Sequence, residues 1–275
     1  MGRRTTLWLA ACLTALAAPL AGQTSDLVSK REFRVCADPA ADPASMEDGS
    51  GYENQIAELF ADRLGRPVHY EWYPMATGFV RNTLGSNLCD VIIGYAQGHE
   101  LVQNTNHYLT STYVLIVPKD GDLASVDTLS DPALKGRSIG IVAGSPPATH
   151  MAREGLIGDA RPYQLFADSR YDNPVKAMLD DLEAGEIDAA ILWGPLGGPL
   201  VKRDHPDFVS IPLLKETLPP KLFYRITMGV RLGEKVWQRE LNSLIRRNQD
   251  EIDRILVEAG VPVLTDMGTE EKVLD

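Results

Sequence analysis

Residue types that perform catalysis or bind metals stand at no recognised spacing in this sequence. The five histidines are scattered, without the His-Glu-x-x-His spacing that places two zinc ligands on one helix face. There is neither a Gly-x-Ser-x-Gly nucleophile elbow nor a phosphate-binding Walker loop. The acidic residues from Asp38 to Asp48 lack the spacing of a calcium loop. We therefore expect no metal site, no resident cofactor and no catalytic residue, and so a protein that is not an enzyme.

The sequence contains three cysteines, and two of them form an even pair outside the N-terminal segment. Cys36 and Cys89 would tend to form a disulfide in an oxidising compartment. Strand geometry argues against this bond. If the two residues lie on neighbouring parallel strands, Cys36 falls late in its strand and Cys89 at the start of the other, an offset beyond the reach of a disulfide. The sequence leaves this question open.

The N-terminal segment has the architecture of a secretory signal peptide. Arg3 and Arg4 give a positive start, residues 7–20 form an apolar run, and small residues follow up to Gly22. The run is too short to span a bilayer comfortably. We expect residues 1–22 to be removed on export to a bacterial periplasm, leaving a mature chain without a membrane span.

The charge of the chain is strongly acidic. The formal net charge is −11, and loss of Arg3 and Arg4 with the signal peptide would make it −13. This balance argues against nucleic acid and anionic membranes as partners. It leaves room for a basic protein partner, although an acidic surface usually only keeps a protein in solution.

Alternating strand and helix patterns along the chain predict parallel sheets. Gly51 precedes a helix whose apolar residues share one face, Pro174 lies in the first turn of another helix, and a long apolar stripe from Trp237 to Leu256 predicts one long helix. The predicted strands are 32–37, 68–72, 90–94, 112–117, 138–142, 188–193 and 225–230.

Two segments repeat one pattern, which predicts two similar lobes. In 84–93 and in 182–192, a helix end and a glycine lead through Asp90 or Asp188 into an apolar strand. The expected fold class is α/β, with two similar lobes, each a parallel-rich sheet flanked by helices, and a ligand crevice at the carboxyl ends of the strands. We assign residues 23–117 with 230–275 to the first lobe and residues 118–229 to the second.

Ligands of such folds bind in the crevice beyond the carboxyl ends of the strands, so the loops there supply the candidate residues. Ser145 precedes Pro146 and Pro147 at a predicted helix start, where free backbone N–H groups can hold an anion. Aromatic residues on opposite walls would either sandwich a flat ligand or pack the lobes together. The candidates are Asp38, Tyr52, Tyr73, Tyr95 and Gln97 in the first lobe, and Ser145, Asp168, Arg170 and Trp193 in the second.

Several motifs resemble the family 3 periplasmic solute-binding proteins. Gly51-Tyr-Glu-Asn-Gln-Ile-Ala57 is similar to their G-[FY]-x-x-x-[LI]-A segment, and the stretch from Leu129 to Gly136 resembles the start of their second lobe. A narrower resemblance is to the quinoprotein-dehydrogenase-associated J proteins (MxaJ and XoxJ type) of methanol-dehydrogenase gene clusters. The matching segments are 33–39, 78–84, 88–93, 111–114, 193–195, 228–231, 252–256 and 260–262.

The resemblance implies a type II periplasmic binding-protein fold. It also implies a role in the maturation or activation of a PQQ-dependent methanol or alcohol dehydrogenase, which would be the partner. The sequence departs from its relatives in three places. Residues 96–103 contain no arginine where amino-acid-binding relatives carry one to clamp a ligand carboxylate. Residues 41–44 replace an apolar Pro-Phe segment, and Ala76-Thr77 replaces a basic pair. An amino-acid ligand and an anionic ligand such as PQQ both lose expected contacts.

Three functional readings follow from the sequence. The first is an accessory protein whose cleft engages a polypeptide of the dehydrogenase. The second is a true solute-binding protein that delivers a small molecule, PQQ among them, to an ABC-type transporter. The third is a dehydratase-like enzyme on the same fold, for which the sequence shows no poised acid–base pair. A scarcity of basic cleft candidates beyond Arg170 favours the first reading.

Overall fold

The structure is a computed structural model that describes residues 27–98, 100–165 and 173–274. The predicted signal peptide and the candidates Asp168 and Arg170 lie outside these residues. In the described part of the chain, no helix has both the length and the apolar character needed to cross a membrane.

Strands and helices alternate along most of the chain, as the sequence patterns predict. The strands are β1 (Phe33–Ala37), β2 (Ala40–Ala41), β3 (Ser45–Met46), β4 (Val68–Trp72), β5 (Val91–Ala96), β6 (Gln103–Pro118), β7 (Ile139–Val142), β8 (Arg161–Tyr163), β9 (Ala189–Trp193), β10 (Phe208–Pro212) and β11 (Phe223–Val230). The helices are α1 (Tyr52–Leu64), α2 (Phe79–Asn82), α3 (Pro146–Arg153), α4 (Pro174–Glu183), α5 (Gly194–Asp204), α6 (Lys235–Arg247) and α7 (Gln249–Ala259).

Two parallel groups of strands are joined by the long antiparallel strands β6 and β11. In the first group β1 pairs with β4 and β5, and in the second β7 pairs with β8 and β9. The first part of β6 pairs with β11, and the part from Tyr113 onward pairs with β9 and β10. The carboxyl ends of both parallel groups therefore face the region where β6 passes from one group to the other. The predicted lobe boundaries stay a prediction, and β6 changes partners between Thr112 and Tyr113, before the predicted boundary at residue 117.

Apolar side chains form separate cores on the two groups of strands. In the first group, Phe33, Ile56 and Phe60 pack with Trp237 and Leu241, so that α1, α6 and α7 cover β1 and β5. In the second group the sheet is covered on both faces. One cluster contains Leu115, Ile139, Met151 and Ile191, and the other contains Ile116, Met178, Leu179 and Leu192. Burial on both faces explains why these strands read as continuous apolar runs.

The helix predicted from Trp237 to Leu256 is two helices, α6 and α7, which meet at Asn248. The Asn248 amide donates to the Leu244 carbonyl at 2.8 Å, and its oxygen accepts from Arg63 Nε at 2.9 Å. These bonds compete with a continuous helical path, as a side-chain amide can at a helix end. The apolar stripe continues across the break because both helices pack on the same core.

Helix α5 was missed because its sequence, Gly-Pro-Leu-Gly-Gly-Pro, is typical of a loop. Its glycines permit close approach to other backbone. A side chain on Gly194 would collide with the Thr112 carbonyl oxygen and with Pro262, and one on Gly198 would collide with the Gly260 carbonyl oxygen. Tertiary packing therefore overrides the low helix propensity, and α5 begins directly after Trp193 at the end of β9.

Candidate binding cleft

Two adjoining cavities lie between the loops of the two strand groups, and together we call them the cleft. The outer cavity has a volume of about 280 Å³ and the inner cavity about 240 Å³. They are contiguous, because Ala41, Met75, Trp193 and Leu196 line both. Their combined size is that of a small ligand site or of a groove for a few side chains. The outer cavity is also lined by Asp38, Asp42, Tyr113, Ser145, Asn173 and Val175, and the inner cavity by Ser45, Tyr52, Glu53, Gly94, Tyr108 and Pro195.

Trp193 forms the centre of an aromatic cluster on one side of the cleft. It pairs in register with Tyr113 across β9 and β6, and the two rings meet edge to face with centroids 5.4 Å apart. Tyr224 of β11 packs against Trp193 from the other side at 5.8 Å. Because β6 and β11 are the strands that connect the two halves, this cluster lies at the junction between them. The sequence indicated Trp193 but not its two tyrosine neighbours.

Asp38 is a buried carboxylate directly after β1. Its two oxygens accept the N–H groups of Ala40 at 2.8 Å and Met75 at 2.7 Å. The side chain thus joins the loop after β1 to the loop after β4, and it places Met75 over both cavities. Asp38 is therefore a positioning residue, and its charge also acts on nearby Glu53.

Ser145 is buried at the start of α3, as predicted, but the expected anion site is not formed there. Pro146 and Pro147 have no N–H groups, the Ser145 N–H donates to the Val142 carbonyl, and the Ala148 N–H donates to the Ser145 carbonyl. The first turn therefore offers no free backbone donor to an anion, although the proline pair suits a helix start. The Ser145 hydroxyl is buried beside the outer cavity and has no hydrogen-bond partner among the described residues.

Glu53 is a residue of the cleft that the sequence did not indicate. It is the second residue of α1, and its carboxyl group lies over Gly94 of β5, where any side chain would collide with it. The pKa of Glu53 is raised to about 7: burial raises it most, a hydrogen bond with the Gly94 backbone lowers it, and the negative charge of Asp38 raises it to a smaller extent. Glu53 therefore changes its protonation state close to neutral pH.

The described lining of the cleft has charges of one sign. Asp38, Asp42 and Glu53 line it, and none of the described residues in either cavity is a lysine, arginine or histidine. Asp42 is paired outside the cavities with Arg203 of α5, whose guanidinium donates to both carboxylate oxygens at 2.8 Å. Within the described ranges, no cluster of three or more metal-ligating side chains occurs.

The remaining predicted site residues do not meet across the cleft. Tyr52 lines the inner cavity, but it is packed into the first core. Tyr73 and Tyr95 pack against a separate apolar cluster around Phe79. Gln97 lines a different cavity, of about 740 Å³, beside β6 and the C-terminal segment. These residues follow the predicted strands, but only some of the loops turn toward the cleft.

Cys36 and Cys89 form a disulfide, with Cα atoms 5.3 Å apart. Cys36 lies level with Ile92 in the parallel pair of β1 and β5. The offset inferred from the sequence assumed that Cys89 belongs to the strand. Cys89 instead lies in the turn before β5, where strand spacing no longer applies, and both sulfurs are buried in the cluster with Phe79 and Leu84.

Known proteins share both the sequence pattern and the fold of this chain. No family model matches the sequence. The crystal structure of the periplasmic binding protein XoxJ from Methylobacterium extorquens AM1 is 39% identical, with a TM-score of 0.73, over 85% of this chain and 100% of that one. Protein MoxJ of Methylorubrum extorquens AM1 is 29% identical, over 96% of this chain and 97% of its own length. The crystal structure of MxaJ from Methlophaga aminisulfidivorans MPT shares the fold at 23% identity, with a TM-score of 0.70, over 84% of this chain and 100% of that one.

These similarities extend over both strand groups and over the strands that join them. The fold is that of the type II periplasmic binding proteins, which have a cleft between two α/β lobes. Identity to XoxJ across the whole length of that protein is too high to reflect shared architecture alone. The chain belongs to the XoxJ, MoxJ and MxaJ family of periplasmic binding proteins.

Proposed function

We propose that this protein is a periplasmic accessory protein of a PQQ-dependent methanol or alcohol dehydrogenase. It assists the maturation or activation of the enzyme, and its cleft takes up a polypeptide segment of the dehydrogenase. Membership of the J protein family and the signal-peptide architecture of residues 1–22 support the location and the partner. The protein acts by binding, as expected for a relative of the periplasmic binding protein XoxJ.

One observation carries the choice between a polypeptide and PQQ: the described lining of the cleft has carboxylates and aromatic rings but no cation. PQQ bears three carboxylic acid groups and is an anion at neutral pH. Anion sites are built from arginine, lysine and free backbone N–H groups. Here the described lining supplies no lysine or arginine, and the prolines of α3 remove backbone donors. The aromatic cluster around Trp193 suits a polypeptide, since aromatic residues are enriched at protein interfaces.

Calorimetric titration of the purified mature protein tests this function. We expect no heat and no shift in melting temperature with PQQ, and saturable binding to the purified cognate dehydrogenase. Saturable binding of PQQ alone would instead establish the second candidate, a solute-binding component that delivers the cofactor to a transporter. Absence of dehydrogenase binding under conditions in which the enzyme is intact would contradict the accessory role.

A further inference from the structure

We propose that the inner cavity holds the cationic side chain, lysine or arginine, of the bound dehydrogenase segment, with the Glu53 carboxylate as its counter-charge. This inference rests on the proposed function and names the chemistry of the segment that the cleft selects. Glu53 has no cationic partner among the described residues. A ligand cation is therefore the missing half of an ion pair.

A second observation points to a ligand at the same place. The Tyr108 side chain is 2% exposed, and its hydroxyl has no hydrogen-bond partner among the described residues. Tyr108 lines the inner cavity and lies within electrostatic range of Glu53 and Tyr52. A buried hydroxyl without a partner is unfavourable, and an ammonium or guanidinium group beside Glu53 would supply the missing donor.

The walls of the cavity suit the apolar stem of such a side chain. Met75, Trp193, Pro195 and Leu196 line the path from the outer to the inner cavity. Lysine and arginine bury their methylene groups against apolar surface while the charged head finds polar partners. The face of an indole ring adds an attraction for cations. The inner cavity thus has an apolar entrance, and the Glu53 carboxylate lies inside it.

The same features exclude a free amino acid in favour of a residue within a chain. A free lysine or arginine brings an α-carboxylate, which would lie among Asp38, Asp42 and Glu53 without a described cation to pair with it. In a polypeptide that carboxylate is an amide, and the repulsion is absent. The outer cavity, with the buried hydroxyl of Ser145, can then receive the flanking residues of the segment.

Binding of the cation should depend on pH through Glu53. The groups that face it are Asp38 from the loop after β1, Tyr52 of α1, Tyr108 of β6 and the backbone of Gly94. Burial keeps both tyrosine pKa values well above 10, so neither titrates in this range. A cation favours ionised Glu53, so affinity should rise as pH increases from 6 to 8, by up to about tenfold for a pKa near 7.

Overlapping 15-residue peptides from the cognate dehydrogenase test the proposal against the full mature protein. We expect the peptides that bind at pH 7.5 to contain lysine or arginine. Replacing one lysine by norleucine, or one arginine by citrulline, should weaken binding at least tenfold. Because these changes are made in the peptide, loss of binding cannot arise from misfolding of the protein. The variant Glu53→Gln should weaken the original peptides tenfold or more and should abolish their pH dependence.

Glu58→Gln is the matched control, because Glu58 lies on the exposed side of the same helix α1 and should leave peptide affinity unchanged. The proposal is wrong if binders keep their affinity after every cation is neutralised, if no peptide binds, or if the Glu58 and Glu53 variants behave alike. Intact dehydrogenase is titrated alongside. If it binds while the cationic peptides do not, the accessory role stands and only the cationic anchor fails.

Discussion

At the scale of single residues, Glu53 couples the cleft to the stability of the fold. Its pKa in the folded protein is about 7, against an ordinary value of 4.5, because burial and Asp38 disfavour the charged carboxylate. The folded state therefore holds a proton that the unfolded state has already released between these two pH values. The contribution of Glu53 to stability is fully present below pH 4.5 and is lost as pH rises through 7.

The variant Glu53→Gln should not lose stability in this way as pH rises, because glutamine does not titrate. We expect it to be more stable than the wild type at pH 8 by about 1–3 kcal/mol, below the full effect of burial because part of the side chain reaches the cavity. At pH 4.5 and below, the two proteins should differ little. Urea unfolding at pH 4.5 and pH 8 measures both, with Glu58→Gln as the control. Equal changes in stability with pH for all three proteins would show that Glu53 is an ordinary solvated carboxylate.

The sequence indicated some cleft residues because they directly follow predicted strands. Asp38 and Trp193 lie at the ends of β1 and β9, and the rule that ligands bind beyond the carboxyl ends of strands locates them. Glu53 does not follow a predicted strand, and an acidic residue in the first turn of a helix is common, so its sequence position did not indicate a cleft residue. Its burial depends on Gly94, which is distant in sequence. Tyr108 was hidden likewise, because β6 was predicted to begin only at residue 112.

At the scale of elements, patterns located most strands and helices but missed those that tertiary contacts decide. The first part of β6 carries polar residues such as Asn104, Asn106 and His107, so it lacks a strand pattern until it pairs with β11. Helix α5 depends on backbone contacts made by Gly194 and Gly198, which the sequence presents as loop glycines. Local sequence patterns therefore predicted the strands and helices that bury their own apolar residues. They missed the elements whose structure depends on contacts with backbone distant in sequence.

The disulfide joins two elements whose relation the sequence left undecided. It links β1 to the turn before β5 across a sequence separation of 53 residues. Replacing both Cys36 and Cys89 by serine should cost about 3–4 kcal/mol of stability on the chain-entropy account. Urea unfolding of the oxidised wild type, the reduced wild type and the double variant measures this cost. Identical unfolding midpoints for oxidised and reduced wild type would contradict a stabilising bond.

At the scale of the whole molecule, two strand groups share the long strands β6 and β11, and the cleft lies where they meet. The repeated Gly-to-Asp strand pattern indicated two similar units, and their parallel strand groups follow from it. The sequence already indicated aromatic residues and few cations in the cleft, but it did not indicate that Glu53 and Asp42 would line it. The composition of the lining depends on which loops turn inward, and the proposed choice of a polypeptide over an anionic cofactor rests on it.

The most direct test of the account is photo-crosslinking from the cleft to the dehydrogenase. Met75 is 45% exposed and lines both cavities, whereas Leu232 is 67% exposed and lines neither. A photoreactive amino acid at each position in turn provides matched probes, with an equal fold checked by unfolding. The account predicts a crosslink to a defined segment of the dehydrogenase from position 75 and none from position 232. Crosslinking from position 232 alone, or from neither position while the two proteins bind, would show that the dehydrogenase does not bind in the cleft.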